Sequence, residues 1–298
     1  MLSNGESKVR RVMLDIIIAL FPATIAAVVF FGLKAAVMIA VCVGTAILSE
    51  FIFNALCKKK QTVGDLTAIV TGLLLALNLS TKVTVWQCFV GTVFAIVIVK
   101  CAFGGRGYNI VNPAIAARVM LLIAFADVAG GAMTAFAEIS SGATPLEILG
   151  GAEGSLPSVT DMLIGNRGGA IGETCAIALI LGGIYLLVRR VISWHIPVFY
   201  IGGVFLFSLA LTQNVNTALY HVLGGGLIIG AIFMATDPVT SPKKGIGKVV
   251  FGLGCAVITV LIRFYGSYPE GASFAILIMN ILCPYIDMIA NKKTEVAE

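Results

Sequence analysis

Ten apolar stretches, most of them near the length of a membrane span, follow one another along this chain with little sequence between them except for one long connection after the fifth. They run from Met13 to Gly32, Ala35 to Leu56, Leu66 to Leu79, Val83 to Phe103, Ala114 to Met133, Ile171 to Val188, Ile196 to Leu211, Leu219 to Met234, Val249 to Tyr265, and Ala272 to Ile289. The hydrocarbon layer of a bilayer, about 30 Å thick, takes about 20 residues of helix. A single water-soluble core could not hide so much apolar surface, because 59% of the 298 residues are hydrophobic and only 12% are charged. The pattern predicts an all-α polytopic membrane protein with about ten transmembrane helices. The third and eighth stretches are short of a full span, which predicts broken or re-entrant helices.

Lys8, Arg10 and Arg11 precede the first apolar run, which is too long for the core of a signal peptide and shows no cleavage site, so a retained first helix is expected. Orientation follows from Lys and Arg in alternate loops. Counting the N-terminus, Lys58 to Lys60, Lys100, Arg106, Arg189, Arg190, Lys243, Lys244, Lys248, Lys292 and Lys293, about fifteen of the 20 basic residues share one side. Both termini are therefore expected inside, and the acidic loop of residues 127–170 outside. The net charge of +5 reports topology and gives no reason to expect a nucleic-acid partner.

This division predicts a first membrane half over residues 1–126, an external loop over 127–170 and a second half over 171–298. Five crossings in each half would make the two halves inverted copies. Thr71-Gly72-Leu73-Leu74-Leu75-Ala76 echoes Gly225-Gly226-Leu227-Ile228-Ile229-Gly230, and interrupted helices at matching positions point to a central binding site. Small residues that let helices approach closely explain the echo equally well.

Seven cysteines are scattered singly, with no CxxC pair, so neither a zinc nor an iron–sulfur site is expected within the chain. His195 and His221 fall at opposite ends of neighbouring stretches, and no hydrolytic triad or other catalytic set can be assembled. Arg118, Glu173, Arg263 and Asp287, with Asp15 and Glu50 nearer the ends, are the ionisable residues to weigh at membrane depth.

Four polar segments stand out. Ser141-Gly142-Ala143-Thr144-Pro145-Leu146 lies in the long loop; two small residues precede Thr144, and Pro145 biases it toward an extended backbone, so Oγ1 is expected to stand clear. Gly104-Gly105-Arg106-Gly107-Tyr108-Asn109-Ile110-Val111-Asn112-Pro113-Ala114 follows the fourth stretch, and Met234-Ala235-Thr236-Asp237-Pro238-Val239-Thr240-Ser241-Pro242 follows the eighth. Gly165-Asn166-Arg167-Gly168-Gly169, with Gly172-Glu173-Thr174 beyond it, leads into the sixth. Asn112 before Pro113 and Asp237 before Pro238 also suit helix N-caps.

Taken in order, these segments resemble the RnfD/NqrB family, membrane subunits of ion-translocating electron-transfer complexes, with S-G-A-T-P-L as its flavinylation motif. The resemblance implies that FMN is held covalently as a phosphoester on Thr144, with Ser141, Gly142 and Ala143 completing the motif. It also implies a second, non-covalent flavin, riboflavin or another, near Asn109, Asn112 and Asp237. Electrons would pass between ferredoxin and NAD⁺ through flavin and iron–sulfur subunits, coupled to Na⁺ or H⁺ movement. A flavin transferase would mature the chain in a bacterial or archaeal inner membrane. The family commonly has Asp six residues before the modified Thr, where this chain has Glu138. The short leader from Met1 to Val12 favours the RnfD side over an NqrB-type subunit of a Na⁺-translocating NADH:quinone reductase. An inverted-repeat transporter or channel without a redox cofactor, and a purely structural subunit, are the rival readings.

Overall fold

The computed structural model describes residues 4–125, 132–133, 141–142, 144–173, 175–266 and 270–295. Ala143 and Glu138 lie outside them. Helices dominate: α1 Asn4–Leu56, α2 Thr67–Leu77, α3 Val85–Ala102, α4 Pro113–Ala124, α5 Pro145–Leu149 and α6 Val159–Ile164. They continue as α7 Ala176–Val188, α8 His195–Thr212, α9 Val215–Leu223, α10 Leu227–Met234, α11 Gly245–Tyr265 and α12 Ala272–Glu295. A two-residue antiparallel ladder pairs β1, Ala132–Met133, with β2, Ser141–Gly142, the first two residues of the SGATPL segment.

Each of the ten apolar stretches contains helix, but the elements do not all have the expected length. Among the described residues, five helices are long and apolar enough to cross a bilayer, or six if α9 and α10, bent by 61°, count as one span. The first two stretches form one element, α1, interrupted at Gly32, whose φ of 64° and ψ of −150° lie outside helical geometry. Unbroken, its 53 residues would run about 80 Å, far more than one bilayer core. Lys8, Val9, Val12, Met13, Ile16 and Thr67 line one cavity, and Glu50 pairs with Lys100 of the same cavity, so both ends of α1 return to the same end of the bundle. The fifth stretch stops being helical at Ala124 and the sixth becomes helical only at Ala176. At the start of the sixth, Ile171 and Gly172 donate their backbone N–H groups to the Leu79 and Leu77 carbonyls in place of helix.

Packing is that of a protein in lipid. Along α1, Ala19, Ala23, Ala27, Ala35 and Ala46 are buried while Ile18, Phe21, Ile25, Val29 and Leu33 point outward. Small residues inward let backbones approach, and apolar side chains outward meet acyl tails. The interior holds what lipid cannot solvate, including Glu50, Lys100, Asn112, Arg118, Arg167 and Glu173.

Candidate functional site

Two polar regions are built into the bundle, one at each end of α10. The first begins where α3 finishes. Its second part, from Phe94 on, is π-helical, a geometry common at functional sites. It carries Lys100, whose Nζ donates to Glu50 Oε1 at 3.0 Å and to Thr67 Oγ1 at 2.6 Å. Thr67 in turn donates its hydroxyl to Asp65 Oδ1 at 2.6 Å, and Arg106 bonds Asp65 Oδ2 at 3.1 Å. This relay fixes the turn after α3, which leads into Asn109 and Asn112.

Asn112 is the N-cap of α4. Its Oδ1 accepts from the N–H groups of Ala114 and Ile115, and Pro113 takes the first helical position, where no N–H is needed. Its Nδ2 reaches the Met234 carbonyl at 3.4 Å, and its backbone N–H donates to Asn280 Oδ1 at 3.1 Å. Asn280 also donates to the Thr240 carbonyl at 3.0 Å. One asparagine of α12 thus ties the Asn-rich turn to the Thr-Asp-Pro segment after α10.

Asp237 caps a turn: its carboxylate accepts from the Val239 N–H at 3.1 Å and the Thr240 hydroxyl at 3.3 Å. Burial pushes its carboxyl above the ordinary aspartate value, and these two donors oppose the shift. Asn109, Asn112 and Asp237 all line one cavity of about 370 Å³. Its walls include Val12, Leu74, Ile192 and Phe233, and its polar lining adds Lys8, Lys100 and Arg106. Asn109 Nδ2 is used by the Val111 carbonyl at 3.1 Å, while its Oδ1 has no hydrogen-bond partner among the described residues.

The second region surrounds Thr144, extended as Pro145 requires at φ −68° and ψ 156°. Its hydroxyl does not stand clear of the backbone as expected. Oγ1 accepts the Glu147 N–H at 3.2 Å, and the Glu147 carboxylate accepts the Thr144 N–H at 2.5 Å, a capping box on α5. The hydroxyl serves as an acceptor here, which leaves its hydrogen unused by the cap. Leu146 anchors this turn: a Cβ built on Gly225 would lie 2.5 Å from its side chain.

That contact places Thr144 over the break between α9 and α10, at Gly224 to Gly226. Both Gly225 and Gly226 have φ of 65°, which a side chain would strain. The carbonyl end of α9 meets two guanidinium groups. Arg263 donates to the His221 and Gly224 carbonyls, and Arg167 to Leu223 at 2.7 Å. Beyond the break Arg118 bonds Asn78 and Glu270, and Glu173 Oε2 lies buried by Gly226 with no hydrogen-bond partner among the described residues. Cations at a helix C-terminus and a carboxylate at the next N-terminus oppose the exposed dipole ends.

Asn109, Asn112 and Asp237 thus share one cavity, and Thr144 stands near the other end of α10. The same segments carry a wider likeness: the profile of the NQR2, RnfD, RnfE family matches residues 3–295. The chain belongs to this family. Among curated relatives of the NQR2, RnfD, RnfE family, it is 43% identical to the D-type component of the Na(+)-translocating ferredoxin:NAD(+) oxidoreductase complex of Acetobacterium woodii, covering 95% of this chain and 89% of that one. It is 36% identical to the D-type component of the proton-translocating ferredoxin:NAD(+) oxidoreductase complex of Clostridium ljungdahlii, covering 95% and 90%. The D-type component of the ion-translocating oxidoreductase complex of Methanosarcina acetivorans is 32% identical over 91% of this chain and 87% of its own length.

Three residues of this family member escaped the sequence reading. Glu147 had a signal, the T-x-x-E spacing of a capping box. Lys100 counted only as an inside charge, and Asn280 sits in an apolar helix with no local motif. Among the described residues, no group of three His, Cys, Asp or Glu side chains converges as for a metal.

Proposed function

We propose that the chain is the D-type membrane subunit of an ion-translocating ferredoxin:NAD⁺ oxidoreductase complex and carries two flavins. FMN is joined to Thr144 through a phosphoester, and a second, non-covalent flavin occupies the cavity lined by Asn109, Asn112 and Asp237. The observation that carries the reading is Thr144 itself: the motif threonine of this family member sits on a cap in which its hydroxyl oxygen accepts and its hydrogen has no partner among the described residues. The relatives named above support the complex.

The cavity fits a flavin by its donor set. Apolar walls suit a flat aromatic ring, the free Asn109 Oδ1 can accept from a ring N–H or a ribityl hydroxyl, and the Asp237 carboxyl can donate when protonated. Bound flavins supply one- or two-electron redox chemistry. The chain's own part is position: Asn280 clamps the two motif turns together, and Leu146 seats the Thr144 turn on the break. α10, about 12 Å long by helical rise, joins the two regions.

In this reading both termini face the cytoplasm of a bacterial or archaeal cell, Thr144 faces outward, and halves 1–126 and 171–298 are inverted. Flavin and iron–sulfur subunits supply the remaining redox centres, and a flavin transferase attaches the FMN. The test is the intact mass of the denatured chain, made with an active flavin transferase. An added mass of one FMN less water, with in-gel fluorescence that disappears in Thr144→Ala, is expected. A wild-type chain at its amino-acid mass would overturn the covalent attachment.

A further inference from the structure

Lys100 is 3% exposed, and burying an ammonium without partners costs several kcal/mol. Two partners are in place, Glu50 Oε1 and Thr67 Oγ1. An ammonium has three N–H donors, so one remains without a partner among the described residues. Lys100 and Thr67 both line the cavity that holds Asn109 and Asp237. Glu50 is served unevenly: Oε1 takes both Lys100 and the Thr62 hydroxyl, while Oε2 is buried with no hydrogen-bond partner among the described residues. The pair is therefore a buried dipole with its positive member at the cavity wall.

Apolar walls sharpen the consequence. In a low-dielectric site a charge placed near Lys100 interacts with it far more strongly than in water. Arg106 lines the same cavity but is engaged by Asp65 and is a third exposed, so its field is better screened. Lys8 is on the exposed rim.

We propose that Lys100 holds the negative charge of the reduced ring in this cavity and so sets the potential of the flavin there, with Glu50 acting through Lys100 to moderate that hold. The inference rests on the reading of the cavity as a flavin site. Two electrons from a redox partner and one proton turn the neutral oxidised ring into a reduced ring with one negative charge. Lys100 opposes that charge without giving up its own proton. Removing the charge of Glu50 leaves the ammonium less compensated and strengthens its hold on the reduced ring.

The experiment uses the full chain in lipid nanodiscs, with Thr144→Ala to remove any tethered group, loaded with riboflavin and titrated with dithionite by absorbance. In this background Lys100→Gln is expected to lower the midpoint potential and Glu50→Gln to raise it. Lys100→Arg, which keeps the charge, should stay near the parent. For a two-electron couple, each tenfold change in preference for the reduced ring moves the midpoint by about 30 mV. Opposite signs are the signature, because damage to the fold alone would drive both variants the same way. If Lys100→Gln does not fold, Glu50→Gln and Lys100→Arg still decide the matter. Bound riboflavin with an unmoved potential in Glu50→Gln, or shifts of one sign in both charge-removing variants, overturns this inference and leaves the cavity reading standing. A parent chain that retains no riboflavin overturns both.

Discussion

Gly182 lies directly against the carbonyl of Ala19, so close that a Cβ on the glycine would overlap the oxygen. This is the seam between α7 and the first arm of α1, and neither backbone can yield without moving a helix. Gly182→Ala should destabilise the bundle by about 1–3 kcal/mol, the usual range for overpacking. Thermal unfolding in detergent reads the effect, and an unchanged midpoint would show that the seam is looser than described.

The capping box on α5 gives a local prediction. Glu147→Ala removes the side-chain half of the box, and loss of a cap contact costs about 1 kcal/mol. Backbone amides of 144–150 should exchange with deuterium about five-fold faster, with the rest of the chain unaffected. On the proposed attachment, the covalent flavin carried by Thr144 should fall in the same variant, measured by intact mass.

Arg263 ties the end of α9 to the segment before α12 through its bonds to Gly224 and to the Glu270 carbonyl at 2.7 Å. Arg263→Met leaves buried carbonyls without donors, at about 1–3 kcal/mol for each group left unsatisfied. The melting temperature should drop, and Arg263→Lys should recover only part of the loss, since one ammonium cannot span the same fork.

Asp237 carries a pH prediction. Its carboxyl is raised by burial, so the folded chain binds this proton more tightly than the unfolded chain. The resulting stabilisation is fully present below the unfolded aspartate value and is lost as pH rises through the folded one. Infrared difference spectra should show a protonated carboxyl that survives above the ordinary aspartate range and is missing in Asp237→Asn. The same substitution should flatten the stability profile across that window.

Much of the fold was legible because membrane burial leaves a coarse signal. Every apolar stretch contains helix, and the Gly225-Gly226 pair marked a true interruption. The length of α1 was not legible, since Gly32 followed by Leu33 and Lys34 reads as a loop between helices and not as a point break. The π-helical end of α3 leaves no period of its own in so uniformly apolar a segment. Asn109, Asn112 and Asp237 were singled out by motif, yet their meeting on one cavity depends on Asn280, 168 residues from Asn112. Lys100 and Glu50 are 50 residues apart, and no local pattern joins them.

A cap that asks its oxygen only to accept places no demand on the hydrogen, so the bond from the Glu147 N–H does not itself occupy the position a substituent on that oxygen would take. Under the proposed attachment, the turn at Thr144 is shaped before the phosphoester forms, and the scaffold that presents the hydroxyl need not be rebuilt around it.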